Sequence, residues 1–406
     1  MSSSENIRFD SLELPTELVS GVSAAGFEIC TPIQSMTLPK ALKGEDIAGQ
    51  AQTGTGKTAA FLIATMNQLL KSNNNFQAQV NNPRAIILAP TRELAIQINE
   101  DAKILGSATN LRFQVVFGGT DYEKQRLALE KGVDILIGTP GRFIDYFKQK
   151  VFKLNQVEVV VLDEADRMFD LGFIKDIRYI MRKLPPPNKR LNLLFSATLS
   201  QKVLELAFEH MNDPEPILIK PEKVTTELVT QAVIFPSNRE KIPLLVGLLR
   251  KINAERTMIF VNTKREAEKL ERFLSYNSIE ANAISGDVPQ KKRMRMLKNF
   301  QNGTLPVLVA TDVASRGLHV PNVSHVINYD LPQDPEDYVH RIGRTARAGS
   351  TGDSISFACE SFAISLPEIE KFISERIPVQ PLDSSLLVKI KIPPKPKKTK
   401  FNKYKK

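Results

Sequence analysis

No stretch of the chain is apolar for long enough to cross a bilayer, which takes about 20 residues, so no membrane insertion is expected. The opening Met1-Ser2-Ser3-Ser4-Glu5-Asn6 has neither a basic region nor an apolar core of the kind that directs export, so a cytoplasmic protein is expected. Cysteine is scarce. Cys30 and Cys359 lie far apart and form no paired motif, which fits reduced thiols and no disulfides. Acid is missing from the end of the chain, where Lys389 to Lys406 carry nine lysines and no Asp or Glu. That run accounts for nearly all of the net charge of +10 and leaves the rest near +1. Any nucleic-acid groove in the body must therefore come from local placement of Arg and Lys. The tail, 389–406, reads as a basic disordered end: either a solvated terminus or a contact for RNA or an acidic partner through counterion release.

What is present is an ordinary globular composition, 42% hydrophobic and 25% charged over 406 residues, enough for two domains with a core each. The chain is organised around Ala51-Gln52-Thr53-Gly54-Thr55-Gly56-Lys57-Thr58. A short apolar strand precedes this stretch and helical spacing follows it. Such a loop aims backbone N–H groups at one spot at the positive end of a helix dipole, which suits a polyphosphate. Lys57 would reach the terminal phosphates and the Thr58 hydroxyl would ligate Mg2+. The strict phosphate-loop pattern fails at its first glycine, where Ala51 stands, so the loop alone leaves a glycine-rich turn open as an alternative.

Apolar β-rich runs then alternate with helical patterns. Strands are expected at 84–89, 113–117, 133–137, 157–162 and 192–195, and the rhythm restarts with 232–235, 258–261, 307–310 and 323–327. This is the pattern of parallel sheets covered on both faces, whose chemistry gathers at the carboxyl ends of the strands. Polar loops stand there: Thr91-Arg92, Gly118-Gly119, Thr139 to Arg142, Asp163 to Asp166 and Ser196 to Thr198. Asp163 ends an apolar strand, where a carboxylate is costly without a partner, and a phosphate-bound Mg2+ is such a partner. Glu164 would orient or deprotonate an attacking water. Residues 213–230, with Pro214, Pro216 and Pro221, read as the boundary between domains. His340 to Arg347 holds four basic side chains in eight residues, which rarely serve packing and suit the transition-state charge of a γ-phosphate. Gln34, on a helix opened by Thr31-Pro32, has the donor and acceptor that adenine requires.

With Asp163-Glu164-Ala165-Asp166 and the other motifs in this order, the chain resembles the DEAD-box family of ATP-dependent RNA helicases over about residues 9 to 360. The resemblance implies an α/β fold of two tandem RecA-like domains, each a mostly parallel sheet with helices on both faces. Their expected spans are 1–217, with an adenine-reading segment at 9–37, and 231–388, joined by a flexible linker at 218–230. It implies that Phe9, Gln34 and the loop Ala51 to Thr58 bind ATP, with Thr58 and Asp163 on Mg2+. Lys57, Asp163, Glu164, Arg344 and Arg347 would be catalytic. Asp166, Ser196, Thr198 and His340 would couple hydrolysis to strand separation. Thr91, Arg92, Gly119, Thr139 and Arg142 would line the RNA path in the first domain, and Thr263, Asp287, Gln290, Arg293, Thr311 and Gly317 in the second. Backbone contacts of this kind carry little base specificity. A likeness to the family member of the bacterial RNA degradosome implies RNase E as a partner, with polynucleotide phosphorylase and enolase, and a role in RNA degradation. Three positions depart from the family pattern: Ser285, His319 and Ala346, the last of which is expected to slow turnover. The competing reading is an ATP-gated RNA clamp with little turnover, against which Glu164, Arg344 and Arg347 argue. A DNA helicase is a further alternative.

Overall fold

The structure is a computed structural model that describes residues 7–51, 54–72, 81–119, 121–219, 229–285, 288–315, 320, 323–345 and 351–394, without the side chains of residues 290 and 291. The chain divides near residue 221 into two compact units. The first contains, among the described residues, strands β1 Ile47–Gln50, β2 Ala85–Leu88, β3 Phe113–Val116, β4 Ile135–Gly138, β5 Val159–Leu162, β6 Leu191–Ser196 and β7 Glu215–Leu218. They form one parallel sheet in the order β3-β4-β2-β5-β6-β1-β7.

Successive side chains of a strand point to opposite faces, and here both faces are covered. Ile87, Ile135, Ile137, Val159 and Val161 enter one core with the helices Lys57–Lys71 and Arg92–Leu105. Ile86, Leu88, Leu136, Val160 and Leu162 enter the other, with Pro140–Lys148, Ile174–Met181 and Gln201–His210. This explains why the strands read as continuous apolar runs rather than as alternating ones.

The second unit has β8 Val229–Ile234, β9 Thr257–Phe260, β10 Ala281–Ile284, β11 Val307–Ala310, β12 His325–Asn328 and β13 Gly352–Phe357, parallel in the order β10-β11-β9-β12-β13-β8. Two expectations need correction. Residues 213–230 are not wholly a connection: Glu215–Leu218 pairs with β1, and Val229 and Thr230 open β8. Pro216 is tolerated because β7 is the edge strand of its sheet. Nor is the disordered tail right for 389–394. Asn277 donates to the Lys391 carbonyl at 2.9 Å and accepts from its N–H at 2.8 Å, Arg272 donates to the Pro394 carbonyl at 3.3 Å, and Ile390 packs on the core of the unit. Apolar Ile390 between the lysines supplies the contact that nine charges obscure.

Candidate active site and nucleic-acid interface

In the first unit β1 hands the chain to the helix Lys57–Lys71 through a loop whose Gly54 and Gly56 have φ of +88° and +92°. That backbone favours glycine, and a Cβ on Gly56 would also lie 2.5 Å from Gln34 Nε2. The Ala51 N–H donates to the Ser196 carbonyl at 3.0 Å, which ties the loop to the end of β6. Gln52 and Thr53 lie outside the described residues. Lys57 is 6% exposed, and its Nζ has no hydrogen-bond partner among the described residues. Asp163 is buried at the end of β5. Burial pushes its carboxyl up, while the Lys57 charge and the Glu164 N–H, 2.9 Å from Oδ1, pull it down. Gly54, Gly56, Lys57, Thr58, Asp163 and Glu164 line one cavity of about 470 Å³. A buried ammonium with no hydrogen-bond partner among the described residues, beside a buried carboxylate, fits a polyphosphate with a divalent cation.

Glu164 adopts φ 51° and ψ 55°, a left-handed backbone that costs a non-glycine residue about 1–2 kcal/mol. Asp166 joins this corner to the end of β6. Its N–H donates to Ser196 Oγ at 3.1 Å, and its Oδ2 accepts from the N–H groups of Ala197 and Thr198 at 3.1 and 3.2 Å. Three of the four residues assigned to coupling therefore meet inside the first unit. His340 belongs to the second.

Phe9 and Gln34 are placed differently from the expectation. Phe9 is buried and stacks on Phe27, with centroids 5.8 Å apart, and it is Phe27, 37% exposed, that lines the cavity. Nothing in the sequence ranks one ring above the other. Gln34 is 3% exposed and its amide is engaged at both ends: Oε1 accepts from the Thr31 N–H at 2.8 Å and Nε2 donates to the Gly56 carbonyl at 3.0 Å. It caps its own helix and props the phosphate loop at once.

The remaining candidates stand on the carboxyl edges of the sheets. Thr91 caps the helix Arg92–Leu105, accepting from the Leu94 N–H at 3.3 Å, and Thr139 holds the same place before Pro140–Lys148. Arg92 lies over the Gly118–Gly119 turn, so closely that a Cβ on Gly119 would sit 2.3 Å from its Nη1. Arg142 is packed against the rings of Tyr122 and Tyr146, 5.0 and 5.5 Å from their centroids. In the second unit Thr263 caps Lys264–Tyr276, accepting from the Glu266 N–H at 3.2 Å. Thr311 follows β11, and Arg293 donates to the Ala314 carbonyl at 2.7 Å. Ser285 is buried. Asp287, Gly317, His319, Ala346 and Arg347 lie outside the described residues, as does the side chain of Gln290. Arg344 is 4% exposed and its Nε donates to the His340 carbonyl at 3.2 Å.

One expectation about the basic run fails. Arg341 does serve packing: it is 1% exposed and makes a two-pronged ion pair with Asp312, Nε to Oδ1 at 2.6 Å and Nη2 to Oδ2 at 2.7 Å. The helix Pro335–Ile342 carries His340 and Arg341 on neighbouring sides and ends before Arg344, and only the fold says which side is inside. Sequence reasoning also passed over Lys241 and Asp330, a buried pair at 2.6 Å whose partners are 89 positions apart.

Comparison with known proteins follows this geometry. The DEAD/DEAH box helicase family matches residues 31–206, and the helicase conserved C-terminal domain matches 240–349. The chain is 57% identical over 383 residues to an ATP-dependent RNA helicase RhlB of Xanthomonas oryzae pv. oryzae, covering 94% of this chain and 67% of the relative. It is 55% identical over 381 residues to the protein of that name from Vibrio vulnificus, covering 94% and 88%. Among solved structures it is similar to S. cerevisiae Dbp5 bound to RNA and ADP BeF3, with TM-score 0.82 and 31% identity over 93% of this chain and 96% of that one. It is equally similar to Mss116p bound to ssRNA and AMP-PNP, with TM-score 0.82 and 30% identity over 95% and 82%.

Proposed function

Since the chain belongs to the DEAD/DEAH box family of ATP-dependent RNA helicases, we propose that bound RNA stimulates its ATP hydrolysis and that hydrolysis is coupled to local opening of short duplexes. The observation that carries this reading is the buried Lys57 ammonium, without a hydrogen-bond partner among the described residues, in one cavity with Asp163 and Glu164. Lys57 and the N–H groups of the loop receive the phosphates, and Thr58 and Asp163 hold Mg2+. Bound there, the ion supplies positive charge across the phosphate oxygens. Glu164 orients the attacking water and accepts its proton. Gln34, whose amide keeps a second Nε2 hydrogen and a second Oε1 lone pair beyond its two backbone bonds, takes adenine with Phe27, which Phe9 backs. Asp166 links this corner to Ser196 and Thr198, so that a change at the phosphates reaches the next strand end. Arg344 and Arg347 supply charge for the transition state.

In the same reading the RNA backbone runs along Thr91, Arg92, Gly119, Thr139 and Arg142 in one unit and along Thr263, Asp287, Gln290, Arg293, Thr311 and Gly317 in the other. Threonine-capped helix starts offer N–H groups to phosphates without reading bases. The 2′-OH would favour RNA over DNA. The resemblance extends this reading to a place in cytoplasmic RNA degradation with RNase E as partner, docked on the second unit; the relatives' names go as far as an ATP-dependent RNA helicase RhlB. The test is ATPase measured with no nucleic acid, with structured RNA and with DNA of the same sequence, on the native chain and on Glu164→Gln. Strong stimulation by RNA is expected, together with a loss of roughly 100-fold or more in kcat in the variant and retained nucleotide binding. Hydrolysis that ignores RNA would overturn the coupling.

A further inference from the structure

The carboxyl edge of the second sheet is fastened by a set of paired charges: Lys241, Asp330 and Arg341 are buried, and Asp312 is partly buried. Lys241 begins the helix Lys241–Lys251, and its Nζ donates to Asp330 Oδ1 at 2.6 Å while sitting 4.0 Å from the centroid of Tyr329. Both side chains of the pair are 5% exposed. Asp330 Oδ2 accepts from the Asn262 N–H at 3.0 Å, and the Asn262 amide donates to the Leu331 carbonyl at 2.8 Å. Arg341 donates to Asn262 Oδ1 at 2.8 Å and to the Asp330 carbonyl at 2.5 Å, besides its ion pair with Asp312. Two cations and two anions cancel, and the buried Lys241, Asp330 and Arg341 are each taken up by partners within the unit.

What this set does is fix spacing. It joins the ends of β9, β11 and β12 to the helix Pro335–Ile342. Asn262 directly precedes Thr263, Asp312 directly follows Thr311, and Arg341 lies between His340 and Arg344. Thr263, Thr311 and Arg344, proposed for RNA or nucleotide, and His340, assigned to coupling, are thus one to three positions from a member of the set. Lys241 lies on a helix that carries no such residue. Its contribution is to keep the Asp330 carboxylate paired, so that Oδ2 can hold the Asn262 N–H. A buried ion pair that loses one partner leaves an uncompensated charge, and the groups it orders move to relieve it.

We propose that Lys241 and Asp330 are positioning residues for RNA engagement: a buried pair that holds Thr263 and Thr311 at the separation the RNA backbone requires. This rests on the functional reading above and adds residues that touch neither RNA nor ATP. The loops need not unfold for the effect to appear, since a displacement of about 1 Å in a positioned group is enough to lose function.

The experiment measures the RNA concentration that half-saturates ATPase stimulation, together with ADP affinity and thermal melting, for the full chain and four variants. Lys241→Met and Asp330→Asn each leave one buried charge alone and are expected to raise half-saturation tenfold or more, with ADP affinity changed less than twofold. Lys241→Arg keeps a cation and is expected within threefold of the native chain. The double variant Lys241→Met with Asp330→Asn removes both charges while the amide oxygen can still accept from Asn262. It is expected to recover to within threefold, which a mere loss of stability would not produce. Should Lys241→Met fail to fold, Asp330→Asn and the double variant carry the comparison. Single variants that half-saturate like the native chain, or a double variant no better than the worse single, would overturn the proposal. A native chain that RNA does not stimulate would overturn the functional reading first, and this inference with it.

Discussion

Both ends of the Gln34 amide are taken up by backbone, one on its own helix and one on the phosphate loop. Its Nε2 donates to the carbonyl of Gly56, the residue whose left-handed turn starts the phosphate-binding helix. Replacing it by Gln34→Glu removes that donor and sets a carboxylate against the carbonyl, while the acceptor for Thr31 survives. The loop should loosen, so the KM for ATP is expected to rise about tenfold, equivalent to about 1.4 kcal/mol, with kcat at saturating ATP within threefold. Steady-state ATPase at saturating RNA checks this, and an unchanged KM would leave Gln34 as a simple helix cap. The sequence, read through its family, carries Gln34 to the nucleotide but not to Gly56, because that bond links residues 22 apart in sequence. Arg341 and Arg344 make the same point. Their types and spacing suit a phosphate equally well, and the fold separates them by setting Arg341 on Asp312.

At the scale of elements, legibility followed apolarity. Strands such as β2, β5 and β11 are runs of Val, Ile, Leu and Ala buried on both faces, and were plain. Neither β10 nor β13 was assigned. β13 reads polar because its buried Ser354 and Ser356 alternate with exposed Asp353 and partly buried Ile355, and Ser356 accepts from Asn328 of the neighbouring strand at 3.0 Å. The helix Arg92–Leu105 carries an acid whose cost the sequence does not show. Asp101 lines the cavity, and burial, with Glu100 adding to it, pushes its carboxyl up to about 6. An unfolded Asp titrates near 4, so the folded form holds the proton more tightly. The stabilisation from this group is fully present below the unfolded value and is lost as pH rises through about 6. Asp101→Asn is therefore expected to melt higher than the native chain at pH 8. Allowing for solvent screening, the gain is about 1 kcal/mol, or about 2–4 °C for a unit of this size. The difference should vanish by about pH 4. Parallel melting curves across that range would show instead that solvent already reaches the carboxyl.

For the whole molecule, the described contacts of the basic terminus and most of its charge lie on opposite sides of residue 394. The chain up to Pro394 is held by Asn277 and Arg272 against the second unit, whereas seven of the nine terminal lysines come after it. Two truncations separate the roles. Ending the chain after Pro394 removes those seven charges and no hydrogen bond described here. Melting should stay within about 1 °C, while RNA binding weakens and depends less on salt. Each lysine that releases a counterion from single-stranded RNA contributes about 0.7 to the slope of log K against log salt, so full engagement of the tail predicts a slope shallower by about 5. Ending it after Val388 also removes Ile390 and both contacts of Lys391 with Asn277, so melting should fall as well. RNA affinity measured from about 50 to 200 mM salt on both chains decides the matter. If the shorter cut lowers melting and neither cut alters the salt slope, the lysines serve a protein partner or solubility, and the RNA path ends with the folded body.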